Sequence, residues 1–368
     1  MITKLTDVQS ELFKLRTQTH VRGEKTGFKC LDEVWSVKKG YPLFIAGEPH
    51  SGKTEFWFEI LLWLSISKGW KHFILSPESG TPEEIFASLC HKYHRKNYRQ
   101  FFKEGVKYNE YQTDAEATAA EMFIDKHFFV LDPDSDEVQS VINGDLEMNK
   151  FYEIVDDIEH LEGISFDTVT IDPWNELKPD NTLNLQRDEL LASYLNTVRR
   201  MSKKRNRIDC LINHVTDSPV MYHEEEDERG EKYKVAYHMP ATPKQWAGGQ
   251  TWYRKGFQML LIYRPYSWMS APVAEGGEPS PALKNETWVM IQKARPKGTA
   301  THKAQVSLFF DVPKNSFYEM ATHQRRITDS SGRIRENDRY YIGEGYGVKQ
   351  PTEDVSANDL PIGDDPLF

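Results

Sequence analysis

The residue types best suited to chemistry in this chain are crowded into one octapeptide. Gly47, Glu48, Pro49, His50, Ser51, Gly52, Lys53 and Thr54 satisfy G-x-x-x-x-G-K-[ST]. In this phosphate-binding loop, backbone N–H groups surround the β- and γ-phosphates of a nucleoside triphosphate, the lysine contacts them and the hydroxyl holds Mg²⁺. Such a loop works only if a buried strand delivers it and a helix receives it. The apolar run Tyr41-Pro42-Leu43-Phe44-Ile45-Ala46 precedes it, and Phe56, Phe58, Ile60, Leu61, Leu62, Trp63, Leu64 and Ile66 follow without glycine or proline until Gly69. That spacing predicts a strand, the loop, and a helix whose N-terminus faces an anion.

Three more polar residues end apolar, β-rich runs. Lys71-His72-Phe73-Ile74-Leu75-Ser76 predicts a second strand closing at Pro77-Glu78-Ser79. A carboxylate at the end of a strand beside the one bearing the loop is placed to activate the water that attacks a γ-phosphate, so Glu78 is the candidate general base. Phe166-Asp167-Thr168-Val169-Thr170-Ile171 ends at Asp172, the pattern of an acid that reaches Mg²⁺ through its water shell. Ile208-Asp209-Cys210-Leu211-Ile212-Asn213 ends at His214, which is either a γ-phosphate sensor or a turn residue. Further strands are predicted at 127–131, 257–263, 287–295 and 306–310, with Phe317-Tyr318 just beyond.

With 368 residues the chain has room for one large α/β domain of about 250 to 300 residues plus tails. Its 46 basic and 56 acidic residues give a net charge of −10, which argues against a surface coated in positive charge for nonspecific nucleic-acid binding, though not against a local basic channel. Cys30, Cys90 and Cys210 are far apart, so neither a disulfide framework nor a zinc site is indicated and a reduced setting is expected. The charged N-terminus has no apolar targeting core, and no apolar run is long enough to span a bilayer.

Between these landmarks, residues 4–18 place Leu5, Val8, Leu12 and Leu15 at helical spacing, to pack on their own domain or on a neighbouring subunit. Residues 81–126 are predicted helical, opened by Thr81-Pro82-Glu83-Glu84 with its cap, early proline and acids. Within them the basic, aromatic-bearing stretch 91–99 reads as a solvated helix face, with nucleic-acid contact as the alternative. Helices are also predicted at 138–161 and 187–205. Residues 216–245 carry Glu224-Glu225-Glu226-Asp227-Glu228 and then Lys232, Tyr233 and Lys234, a polarity that predicts a mobile loop. A Pro/Gly-rich excursion follows at 270–285. From about residue 325 the chain is poor in core residues and is expected to be extended; its end, with Asp359, Asp364, Asp365 and Phe368, suits a basic-rimmed apolar pocket on a partner.

The order of these blocks is specific. Thr26-Gly27 with Leu31-Asp32, the phosphate loop followed by Glu55, Gly69-Trp70-Lys71, Ser76-Pro77-Glu78, Ile171-Asp172-Pro173-Trp174-Asn175-Glu176-Leu177, His214 and Lys293-Ala294-Arg295 together resemble the helicase domain of Twinkle-type proteins, in the superfamily of DnaB-like replicative ring helicases. The resemblance covers about residues 20–320 and implies an α/β, RecA-like P-loop NTPase core with a mostly parallel central sheet flanked by helices. The expected division is a linker helix at 1–20, the ATPase domain at 21–322 and an acidic tail at 323–368. It implies ATP and Mg²⁺ as cofactors, single-stranded DNA as partner, a homo-hexameric ring, 5′-to-3′ movement, and a phage-type protein working in a bacterial cytoplasm.

Carried over to this sequence, Lys53 and Thr54 bind phosphate and Mg²⁺, Glu78 is the base, Asp172 supports Mg²⁺, His214 is the sensor, and Lys293 and Arg295 reach the γ-phosphate of the adjacent subunit. The family's glutamine sensor falls at Arg254, with Gln250 nearby. The acidic run after His214 leaves Lys232, Lys234 and their flanks to contact DNA. With no primase or zinc-binding domain ahead of the core, priming is expected from other chains, and the tail suits docking to a polymerase, primase or other replication protein. A RecA-like ATPase of recombination or plasmid replication, or an assembly module without turnover, shares the core and stays open.

Overall fold

The structure, a computed structural model, describes residues 3–17, 23–98, 111–142, 146–178, 187–216, 218–227, 229–266, 268–269, 282, 285–296, 298–301 and 303–319. Eleven strands are described: β1 Leu43–Gly47, β2 His72–Leu75, β3 Phe128–Val130, β4 Thr168–Ile171, β5 Ile208–His214, β6 Val220–Glu226, β7 Lys232–His238, β8 Gln258–Tyr263, β9 Glu286–Lys293, β10 Gln305–Asp311 and β11 Ser316–Tyr318. The helices are α1 Gln9–Thr17, α2 Lys29–Val34, α3 Lys53–Lys68, α4 Pro82–His94, α5 Asp114–His127, α6 Asp136–Ile142, α7 Met148–Glu162, α8 Arg187–Arg205 and α9 Thr251–Lys255.

Nine strands form one sheet in the order β11-β10-β9-β8-β1-β5-β4-β2-β3. The six from β8 to β3 run parallel, and β9, β10 and β11 continue the sheet antiparallel. The parallel strands are apolar on both sides because helices cover both faces. In β1 the alternation is visible residue by residue: Leu43 and Ile45 join the core under α2, α3, α4 and α5, while Phe44 and Ala46 join the core under α7, α8 and α9. Each of those fully buried Leu, Ile and Phe side chains contributes about 1.5–3 kcal/mol relative to exposure. The sheet is thereby fixed in register, and with it the height at which each strand ends.

The helix after the loop is buried nearly all round, as its sequence predicts. It stops at Gly69, whose left-handed backbone (φ +67°) lets its N–H reach back to Ser65 at 2.8 Å while Trp70 N–H reaches Leu64. The helix predicted at 138–161 is divided between α6 and α7.

Three expectations are corrected. First, β2 does not lie beside β1: β5 and β4 stand between them, so the strand that leads to Glu78 is the third neighbour of the strand that bears the loop. Second, the basic stretch of α4 is not a solvated face. Lys92 is fully buried against Glu55 at 2.6 Å and Glu59 at 3.6 Å, and Arg95, just past the helix, donates to Glu59 at 3.0 Å. His91 and His94 lie against the backbone carbonyls of Pro313 and Glu116. These cations tie α4 to α3 and to the segment before β11, which removes the nucleic-acid alternative for them.

Third, the polar stretch 216–245 is not a mobile loop but an antiparallel hairpin of β6 and β7. The three consecutive acids that end β6 meet complementary residues: Glu224 faces Lys234, Glu225 faces Tyr233 and Glu226 faces Lys232. Opposite charges across the strands stabilise such a pair. Asp227 closes the turn by accepting from Arg229 and Glu231 N–H groups, with Gly230 at φ +79°. His223 stacks on Trp268 at 4.5 Å, and Tyr237 packs edge-on against the same ring. In the N-terminal segment, Leu5, Leu12 and Phe13 are exposed and Val8 is partly buried. The excursion at 270–285 lies almost wholly, and the tail at 323–368 wholly, outside the described residues.

Candidate functional site

The loop between β1 and α3 is held open by its glycines. A Cβ on Gly47 would stand 2.3 Å from the Ile262 carbonyl and 2.5 Å from Ser51 Oγ, and Gly52 has φ +87°, where a side chain is strained. His50 also occupies the left-handed region at φ +59°. Lys53 folds back so that its ammonium donates to the Glu48 carbonyl at 3.0 Å. Burial holds this ammonium below its ordinary pKa, against the pull of Asp172, Glu78 and Glu48.

Across the cavity, β4 delivers Asp172. The carboxylate is 2% exposed and accepts from Thr54 Oγ1 at 2.5 Å and Ser76 Oγ at 3.2 Å. Burial raises its pKa, while the Thr54 hydroxyl and the Lys53 charge oppose that rise. Glu78 sits in the short turn Pro77–Ser79 after β2, half exposed at 52%, and reaches the cavity from the sheet's third strand over. His214, the last residue of β5 and level with Gly47 on β1, places Nε2 at 3.1 and 3.2 Å from the two Glu78 oxygens. Donation from Nε2 therefore orients the carboxylate, and Nδ1 is buried without a partner.

Lys53, Thr54, Glu78, Asp172 and His214 thus line one cavity of about 380 Å³, together with His50 and Gly52. The donor set fits a magnesium nucleotide: a buried ammonium, the buried, unpartnered Ser51 hydroxyl within the loop, a helix N-terminus, and a hydroxyl paired with a buried carboxylate. Among the described residues there is no cluster of three or more His, Cys, Asp or Glu that could hold a metal ion.

Four candidate residues are elsewhere. Lys293 pairs with Met259 of β8, which is level with Phe44 of β1, three residues short of Gly47. Three residues of strand are about 10 Å, so Lys293 stands toward the opposite end of the sheet from the cavity. Its ammonium donates to the Tyr253 carbonyl and lies 4.6 Å over the Tyr253 ring; burial first, then the neighbouring Arg295 charge, holds its pKa down. Arg295 is exposed two residues further on. Gln250 and Arg254, at the start of α9 and within it, are exposed and do not line the cavity either.

Sequence reasoning placed Glu48 in the loop but missed Ser218 and the tie between them. Ser218, just ahead of the hairpin, donates to the Glu48 carboxylate at 2.5 Å, which joins the hairpin directly to the loop. The return strand is fixed there too, through Thr216 N–H to the Gln245 carbonyl at 3.0 Å and Ala247 N–H to the His214 carbonyl at 2.9 Å. A polar residue inside a G-x-x-x-x-G-K pattern carries no signal of its own; its proximity to Ser218 is tertiary.

No protein-family model matches the chain. It is similar to the Twinkle homolog protein, chloroplastic/mitochondrial, of Arabidopsis thaliana, at 27% identity over 202 residues that cover 51% of this chain and 25% of the relative. The chain thus matches about a quarter of that relative's length. Among solved structures it is similar to a DnaB-like replicative helicase, studied with its interactions with primase, at TM-score 0.58 and 15% identity over 86% of this chain and 67% of that one. It is also similar to the ATPase domain of G40P, at TM-score 0.57 and 14% identity over 86% of this chain and 99% of that one. The architecture these structures share with the chain is an α/β, RecA-like core with a mostly parallel central sheet. Among the described residues no helix is long and apolar enough to cross a membrane.

Proposed function

We propose that this chain, similar in sequence to a Twinkle homolog and in fold to DnaB-type helicases, is an ATP-dependent replicative-type DNA helicase that moves along single-stranded DNA and separates duplex. The observation that carries the reading is the convergence of Lys53, Thr54, Asp172, Glu78 and His214 in one cavity. Bound Mg-ATP supplies the phosphoanhydride bond to be broken. Lys53 and the loop N–H groups hold the phosphates, Thr54 and Asp172 hold the cation, and Glu78 takes a proton from the attacking water. His214 orients the Glu78 carboxylate and, at the end of β5, connects its state to the hairpin.

Lys293 and Arg295, at the far end of the sheet, suit delivery to the cavity of a neighbouring subunit, where cations supplied in trans stabilise charge on the transferring phosphoryl group. A closed ring of six and 5′-to-3′ movement are proposed by likeness to the family. Gln250 and Arg254 belong to the same proposal, as sensors of the neighbour's nucleotide. The exposed Tyr222, Tyr233, Lys232 and Lys234 of the hairpin are the proposed DNA contacts, and the C-terminal segment is a proposed dock for a polymerase or primase.

The test is hydrolysis of ATP with and without single-stranded DNA, alongside negative-stain images. The reading expects DNA-stimulated turnover and rings. Filaments would favour a recombination-type ATPase, and nucleotide binding without turnover would leave only an assembly module.

A further inference from the structure

A larger cavity than the nucleotide site, about 1200 Å³, opens at the other end of the sheet, where β1, β5 and β8 begin beneath the last turns of α8. Its wall carries Arg199, Arg200, Lys203 and Lys204, and its lining includes Tyr41 and Phe257. The four cations are exposed, and none has an acid partner among the described residues. Residues 199 and 203, and residues 200 and 204, are four apart, so like charges stand one above the other on the helix and repel. Nearby cations are handled differently: Arg205 pairs with Asp156, and Lys39 pairs with Asp167 and lies 4.3 Å over the Trp70 ring. Among the described residues no carboxylate lines the cavity. In a chain of net charge −10, a run of mutually repelling, unpaired cations beside half-buried aromatic rings is a local exception.

We propose that this groove binds a single strand of nucleic acid, its phosphates along the cations of α8 and a base against the Tyr41–Phe257 pair, whose rings lie 5.8 Å apart at 41°. A row of cations with adjoining aromatic faces is the combination that holds single strands without reading sequence. From Ser193 to Lys204 the wall is about 16 Å long, enough for a few nucleotides. The groove is remote from the cavity of Lys53 and separate from the hairpin, so it is a second track for a strand. It goes beyond the helicase reading, because binding here needs no hydrolysis. The rival occupant is an acidic peptide such as the chain's own C-terminal end, which carries the same sign of charge and an aromatic ring in Phe368, and the test below separates the two.

The experiment compares the wild-type protein with the Arg199→Gln, Arg200→Gln, Lys203→Gln, Lys204→Gln variant, in which glutamine keeps helix propensity. Fluorescein-labelled oligo(dT) is titrated by anisotropy across a range of salt without nucleotide. If the four cations each neutralise one phosphate, the slope of log K against log salt falls by about 3 and low-salt affinity falls at least about tenfold. Hydrolysis without DNA stays at the wild-type level. In the unaltered protein, bromouracil-substituted oligonucleotide irradiated in complex should crosslink to peptides containing Tyr41 or Phe257. Unchanged affinity and slope would overturn the proposal, as would crosslinks confined to residues 216–245. So would displacement of a groove-bound peptide of residues 353–368 being the only effect of the substitutions, or loss of the oligomer with DNA binding lost only in consequence.

Discussion

Glu78→Gln tests the chemistry of the cavity most cleanly, because the structure says what it leaves intact. His214 Nε2 stands 3.2 and 3.1 Å from the two carboxylate oxygens, so one glutamine oxygen can keep that hydrogen bond. The side chain is 52% exposed, and an isosteric change at such a place costs about 0.5 kcal/mol of stability or less. Lys53, Thr54 and Asp172, the proposed nucleotide and cation ligands, are untouched. What disappears is the proton acceptor, and a positioned base contributes about 10²- to 10⁴-fold, or roughly 3–5 kcal/mol of barrier. Steady-state phosphate release in the presence of single-stranded DNA should therefore fall by that factor while the dissociation constant for a slowly hydrolysed ATP analogue, measured by calorimetry, changes less than about threefold. Turnover within threefold of wild type would remove Glu78 from the chemistry. Loss of analogue binding together with turnover would make it a structural residue of the cavity.

Mixing Arg295→Ala protein with Lys53→Ala protein should recover part of the hydrolysis that each lacks, since some interfaces then pair an intact loop with an intact finger; mixed rings with no recovery at any ratio would place the finger in cis. Glu59→Ala removes the buried carboxylate to which Arg95 donates and Ser316 Oγ is hydrogen-bonded, and leaves Lys92 with Glu55 alone of its two acids, so unfolding in urea should show a loss of about 3–5 kcal/mol, and a loss under 1 would mean the network is dispensable. Asp32, partly buried beside Thr26, has its pKa raised to about 6 mainly by desolvation. The folded state therefore holds a proton that the unfolded state releases between about pH 4 and 6, and stability is lost as pH rises through that window. The difference in melting temperature between wild type and Asp32→Asn should change across pH 4–6.5 and be flat above it; a pH-independent difference would contradict the assignment.

Much of the fold is legible along the chain because buried parallel strands are continuous apolar runs and the polar residue that ends each one marks the rim of the sheet. Lys53, Thr54, Asp172 and His214 meet for that reason. Glu78 arrives at the cavity too, but from a strand two places further out than its sequence suggests, because strand order is set by crossovers that no local pattern records. Lys92 and Arg95 look like surface charges until Glu59, itself buried in α3, is seen opposite them. The hairpin hides for a related reason: both its faces are polar, so period-two alternation lacks hydrophobic contrast, and its supports Trp268 and Glu48 lie far from it in sequence. The placement of Lys293 away from the loop depends on sheet register, which is a tertiary fact.

The central claim, that hydrolysis in this cavity is spent on separating DNA strands, is tested by strand displacement from a forked duplex with one labelled strand. The account predicts displacement by the wild-type protein that requires both ATP and Mg²⁺ and is absent with Lys53→Ala. DNA-stimulated hydrolysis with no strand released from forks of either polarity, or release by Lys53→Ala, would contradict it.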